Sequence, residues 1–170
     1  MPHFYFENIP EEIDQIGEYW IDRKNGLIYF LGDKNFSGLM LTTLETPMVV
    51  VKDISNITFE DLNFSYGRNH GIVINKCQKI VVNGCQLSNF TKGGIDASGE
   101  SIRILNSHVH GIGAFGIRLK GGNLSSLEPA DNEVVNCHIH DFGWEQKSQM
   151  AAVSIYGVGH RVAHNEIHDA

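Results

Sequence analysis

Eight ionisable side chains recur at fixed offsets in the second half of the chain. His108, His138 and Glu166 hold equivalent places in three repeated segments, and His110, His140 and His168 follow them two residues on. Asp141 and Asp169 come directly after the last two histidines. Residues two apart on a strand share a face, and paired strands lie about 4.8 Å apart. If the segments are strands stacked in register, all eight groups cluster on adjacent strands. Glycosidic bond cleavage needs two carboxyl groups, about 5–5.5 Å apart for retention or about 6.5–9.5 Å for inversion. Asp141 and Asp169, one strand apart, fall near the first spacing, and Glu166 paired with either meets one of the two. The segment FGWEQKSQM, residues 142–150, follows at once and offers Phe142 and Trp144 as an aromatic wall. Such a wall suits a sugar ring, which has an apolar face and hydroxyl edges. Glu166, Asp141 and Asp169 are therefore the candidate acid–base residues. His108, His110, His138, His140, His168 and Trp144 are the candidate substrate-binding residues, the histidines binding hydroxyls or tuning the carboxylates.

The same residues have blander uses. Stacked strands repeat polar residues on outer faces without function, and His-Asp at 140–141 and 168–169 has the look of repeat-encoded corner chemistry. Three imidazoles on adjacent strands could hold zinc with a carboxylate. No compact ligand motif such as HExxH is present, so neither a metal nor a cofactor is expected. No nucleophile elbow supports a Ser-His-Asp reading, and the glycine pairs at 93–94 and 121–122 read as corners rather than phosphate loops. Arg103, Glu133 and Arg161 form an outward column of alternating sign, which predicts a structural ion ladder, and Asp96 with Arg118 reads the same way.

These groups have to be positioned by a repeat, and one is visible. Ile102–Ile104, Ser107–Val109 and Ile117–Leu119 are three short strands in one unit. Aligned on the middle strand, Leu62-Asn63-Phe64, Cys85-Gln86-Leu87, Ser107-His108-Val109, Cys137-His138-Ile139 and Asn165-Glu166-Ile167 fall in one column. A period near 22 residues with short strands and glycine corners marks a stacked solenoid. The residue between each inward pair is polar: Asn63, Gln86, His108, His138, Glu166. Corners carry Asp61, Gly84, Asn106 and Asn136, types that tolerate left-handed backbone. One coil has no means of burying its own apolar face, so coils must stack. The predicted fold is all-β: a right-handed parallel β-helix with three sheets per rung and about four to five rungs. The rungs are expected at 54–76, 77–99, 100–130 and 131–159, with a fifth lacking its third strand at residue 170. A lead-in precedes them: a short helix at Pro10-Glu11-Glu12, a hairpin closing at Asn25-Gly26, a loop over 32–38, and strands at 39–44 and 48–51. The expected division is a lead-in over 1–52 and the coil over 53–170, truncated at its C-terminus and open to self-association through uncapped strand edges.

Composition limits the partners. The net charge is −7 with no basic run, so nucleic acid is not expected, because phosphate binding needs clustered positive charge. The same balance weakly disfavours polyanionic substrates. No run is apolar and long enough to span a bilayer, and the start MPHFYFENIP lacks the pattern of a signal peptide. The three cysteines, Cys77, Cys85 and Cys137, read as buried thiols; the last two share a column two rungs apart, too far for a bridge.

The stretches ENIPEEIDQIGEYWIDRKNGLIYFL (7–31), ISNITFEDLNF (54–64), NCHIHDFG (136–143) and YGVGHRVAHNEIHDA (156–170) resemble successive parts of large bacterial right-handed β-helix proteins. The resemblance implies the pectate-lyase-like superfold, an extracellular or periplasmic location for the full-length protein, and a carbohydrate-active role, often glycoside hydrolysis. It does not fix the sugar. The leading expectation is part of a glycoside hydrolase acting on a polysaccharide. A polysaccharide lyase is the alternative, disfavoured by the lack of an outward lysine or arginine beside the histidines. A non-catalytic glycan-binding or adhesin-type solenoid is the third.

Overall fold

A computed structural model describes residues 7–33 and 39–170. The loop expected over 32–38 lies mostly outside the described residues. The chain divides into two compact units, Met1–Leu41 and Thr42–Ala170. Among the described residues, no helix is long and apolar enough to cross a membrane.

In the first unit the predicted short helix is a single 3-10 turn, Pro10–Glu12, with proline at its start and Glu11 and Glu12 in its first turn. The hairpin pairs Tyr19–Asp22 with Leu27–Phe30 in antiparallel register, Asp22 opposite Leu27. Its loop is four residues, held by Asp22: Oδ1 accepts from Lys24 N and Asn25 N at 3.0 and 3.1 Å. Gly26 takes the left-handed conformation there, with φ of 68°.

The second unit is the predicted coil. One face is a parallel five-stranded sheet made of Asn63–Gly67, Gln86–Phe90, His108–Ile112, His138–Phe142 and Glu166–His168. Phe64, Leu87, Val109, Ile139 and Ile167 pair in one register across it, as the sequence columns require. A second face stacks Ser55–Glu60, residues 78–83, Arg103–Leu105, Asn132–Val135 and His160–Ala163. The third stacks Val49–Lys52, residues 72–75, residues 95–98, Ile117–Gly121 and Val153–Gly157. The second and third faces are joined where Ile72–Asn83 runs as one bent strand, turned by left-handed Lys76 and Lys79. The corner column Asp61, Gly84, Asn106 and Asn136 is left-handed throughout, with φ between 49° and 63°, because a short polar residue or glycine fits there at least strain.

The strand expected at 39–44 does not form. Its apolar residues find no neighbouring strand: Leu39, Met40 and Leu41 are more than half exposed. Thr42 donates to Tyr66 O and Leu44 O accepts from Arg68 N, which ties the segment to the coil without a strand ladder.

The core runs along the coil axis. Ile72, Ile95 and Ile117 form one buried ladder, and Val82, Ile104 and Val134 another. The inner polar atoms are satisfied locally. Cys85, Ser107 and Cys137 each donate to the carbonyl two residues back, of Asn83, Leu105 and Val135. All three cysteines are buried and unpaired, and burial pushes the Cys137 thiol pKa up. A second column is set by closeness rather than by turning. A Cβ on Gly71, Gly94 or Gly116 would meet the backbone oxygen of Gly94, Gly116 or Ala152 at 2.6–2.8 Å. In the last coil Ile155, Val162 and Ile167 are 39–48% exposed.

Candidate functional site

The outward face of the five-stranded sheet changes character along its length. One column reads Asn63, Gln86, His108, His138, Glu166, and the next reads Ser65, Ser88, His110, His140, His168. Amides and hydroxyls in the first two coils thus give way to imidazoles in the next two, and to Glu166 with His168 in the last. The rings stack within each column: His108 on His138 at 4.7 Å between centroids, His110 on His140 at 5.1 Å, His140 on His168 at 4.9 Å, all within 9° of parallel.

Contacts also run between the columns. His108 Nε2 lies 2.7 Å from His140 Nε2, and His138 Nε2 lies 2.8 Å from His168 Nε2. The Asp141 carboxylate accepts from His140 Nδ1 at 2.7 Å, and Asp169 from His168 Nδ1 at 2.8 Å. The carboxylates place the protons: His140 and His168 carry N–H on Nδ1 and a lone pair on Nε2. His108 and His138 then donate from Nε2 in the neutral ladder. Burial first, and the neighbouring imidazoles next, hold the His108 pKa below its ordinary value; His110 is lowered by burial and then by His140, against the pull of Asp141.

A pH dependence follows. His108 and His110 have folded pKa values below the ordinary 6.5, so on acidification the unfolded chain takes up protons first. The stability these two leave intact above about pH 6.5 is lost as pH falls through that value towards their folded pKa. The thermal midpoint is expected to drop between about pH 7.5 and 5, and to drop less in a His108→Gln, His110→Gln double variant. Glu133, held low by its hydrogen bond from Arg103 and then by Arg161, titrates at lower pH than this window. A wild-type midpoint that rises on acidification would contradict the assignment.

Asp141 and Asp169 are corner residues, left-handed at φ of 50° and 51° and in column with Asn89 and Gly111. The corner needs a short residue; it does not need a carboxylate. Beyond the corner, the segment after Phe142 is tied down by backbone bonds: Gly143 N to Ile112 O, and Glu145 N and Gln146 N to Gly113 O. It walls a pocket of about 500 Å³ lined by Asp141, Asp169, Trp144, Lys147 and Met150, among others. Trp144 is 52% exposed, so its ring is free to be covered. Phe142 departs from expectation: it is 7% exposed and in register with Ile112, so it belongs to the core and only borders the pocket. Glu166 and the five histidines lie outside the pocket lining, on the ladder beside it. Lys147 had no signal in the sequence, because it lies in an insertion outside the repeat; its presence removes the objection that no cation stands near the histidine face.

The predicted ion ladder is present. Arg103 Nε and Arg161 Nη1 meet the two oxygens of Glu133 at 2.6 and 3.1 Å. On the third face Asp96 pairs with both Arg118 and Lys120, at 3.5 and 3.1 Å, and Arg118 lies over the Phe115 ring. Each cluster shares one carboxylate between two cations, and Arg118 Nε is buried without a hydrogen-bond partner among the described residues.

Residues 47–128 match the family described as right handed beta helix region. No curated protein matches the chain. Among solved structures, the A-module of the mannuronan C-5 epimerase AlgE4 from Azotobacter vinelandii is similar, at 14% identity and a TM-score of 0.43. The alignment covers 70% of this chain and 41% of that one, so this chain spans less than half of its length. With parallel strands stacked in three faces, the chain has the fold of a right-handed parallel β-helix, and its first coils match the model of that family.

Proposed function

We propose that this coil acts on a polysaccharide as a glycoside hydrolase, with Asp141 and Asp169 as the carboxyl pair and Trp144 as the platform for a sugar ring. The observation that carries the reading is their meeting in one open pocket. The two aspartates sit on paired strands, with Phe142 N bonded to Asp169 O. A spacing of about 4.8 Å between strands is close to the separation of retaining pairs. His140 and His168 hold one oxygen of each carboxylate, which fixes their orientation. Glu166, outside the lining, is placed to act through His138 and His168 rather than on the sugar. In this reading the full-length protein works outside the cytoplasm, where polysaccharides are met, and its buried thiols are shielded there.

Lys147 favours a second reading. A cation in the same pocket can neutralise a uronate carboxylate, and a neighbouring base can then remove the adjacent proton, as a lyase requires. Products separate the readings. The full-length protein is incubated with neutral and uronate-containing glycans. New reducing ends without near-ultraviolet absorbance support the hydrolase, and unsaturated products replace it with the lyase. Binding that depends on Trp144 without any product leaves a glycan-binding coil. Neither product nor binding overturns the polysaccharide reading.

A further inference from the structure

We propose that the imidazole ladder is a binding site for a divalent transition-metal ion of the zinc class, with His138 as the ligand common to two overlapping sets. One set is His108, His138 and His140; the other is His138, Glu166 and His168. In each set one ligand atom per residue lies within 4.8 Å of the others. The inference does not rest on the sugar reading, since its ligands lie outside the pocket.

Stacking of like residues explains the contacts within each column. It does not explain why the nitrogens of the two columns converge, nor why the ring nitrogen turned away from that convergence carries a carboxylate. His140 and His168 each give Nδ1–H to an aspartate and turn the Nε2 lone pair inward. That is the outer-shell arrangement that orients a metal-binding imidazole and raises its basicity. The convergent Nε2 atoms, 2.7 and 2.8 Å apart, are hydrogen-bonded without metal. Zinc–nitrogen bonds of about 2.0–2.1 Å in tetrahedral geometry put ligand nitrogens roughly 3.3 Å apart. The rings of each hydrogen-bonded pair therefore need to part by about half an ångström, and the third ligand atom of each set, within 4.8 Å of the others, has to settle to the same spacing. His108 and His138 give up their Nε2 protons to bind, moving them to Nδ1, so no net proton need be released. Imidazole donors with one carboxylate favour zinc, copper and nickel over calcium and magnesium, which prefer oxygen.

The test uses the chelator-stripped 170-residue protein and ZnCl₂ alone, by titration calorimetry near pH 7.5. Zinc is expected to bind at one ion per chain or more, with calcium chloride failing to compete. His138→Gln, which removes the shared ligand, is expected to abolish tight binding. Asp141→Asn is expected to weaken the first set about 10–100-fold. His164→Asn, at the exposed left-handed corner two residues before Glu166, removes a histidine that belongs to neither set and is expected to leave binding unchanged. Far-ultraviolet circular dichroism checks that each variant keeps its β-structure. A readout independent of folding variants is the electron paramagnetic resonance of the Cu²⁺-loaded wild type, where nitrogen hyperfine splitting reports imidazole ligands. Wild-type protein that binds zinc no better than calcium, a folded His138→Gln that binds as tightly as wild type, or copper spectra without nitrogen splitting would each overturn the proposal.

Discussion

Asp141→Asn in the full-length protein is expected to lower glycan turnover by about 10²–10⁴-fold, the range that general acid–base catalysis supplies, while leaving the coil intact. The substitution is chosen for its geometry. Asparagine tolerates the left-handed corner, as Asn89 shows two places away in the same column at φ of 60°. Its side-chain oxygen can still accept from His140 Nδ1, so the variant loses a charge and an acid without losing the contact. Asp169→Asn makes the same change on the paired strand and is expected to have an effect of the same order. Glu166→Gln is the comparison. Glu166 is exposed on the ladder and absent from the pocket lining, so its loss is expected to cost less than either aspartate. Initial rates on whichever glycan gives product decide the matter. Near-normal turnover by folded Asp141→Asn, with a large loss in Glu166→Gln, would return the acid–base role to the ladder.

The coil was legible because its constraints are periodic. An inward apolar residue with a polar residue before it and a corner residue three places back recurs at Phe64, Leu87, Val109, Ile139 and Ile167, and a one-residue slip would turn every one of them outward. The His-Asp pairs were legible because the repeat returns them at one position, and the aromatic insertion because it interrupts the repeat. What escaped was set by contacts between coils. Gly94 looks like any corner glycine in the sequence, yet it is there because Gly116 O stands 2.6 Å from where its Cβ would be. Cys85, Ser107 and Cys137 look like small core residues, but each also donates to a carbonyl behind it. Asn132 is fully buried because it bridges coils, accepting from Ile102 N and donating to Gly99 O at 2.9 Å each. Phe142 was read as a wall because it opens the insertion; register alone turns it inward beside Ile112. Residues 39–44 have a strand-like composition, but a strand needs a partner.

Phe90→Ala is expected to destabilise the coil by about 3–5 kcal/mol, the usual cost of removing a buried phenylalanine ring. Phe90 is fully buried, with Gly67 opposite it on one side and Ile112 on the other. Its ring occupies space that neighbouring glycines leave open: the ring atoms stand 2.7 Å from where a Cβ on Gly67 would be, and 3.0 Å from one on Gly71. The site has little freedom to collapse, because both neighbouring strands are held by backbone ladders, Thr91 N to Gly67 O and Gly113 N to Phe90 O among them. A cavity that the surroundings do not fill carries the full cost, whereas Phe90→Leu, which keeps most of the volume, should cost less. The loss also spreads, since each coil of a solenoid is stabilised chiefly by its neighbours, and Phe90 serves the coils on both sides. Chemical denaturation of wild type and variant, followed by circular dichroism, gives the midpoint and slope. Total stabilities are about 5–15 kcal/mol for domains of ordinary size, so a loss of this order should bring the midpoint down sharply or leave the protein unfolded on purification. A Phe90→Ala protein within about 1 kcal/mol of wild type, at unchanged slope, would mean that the coils close over the gap and that the glycine slot is not a constraint.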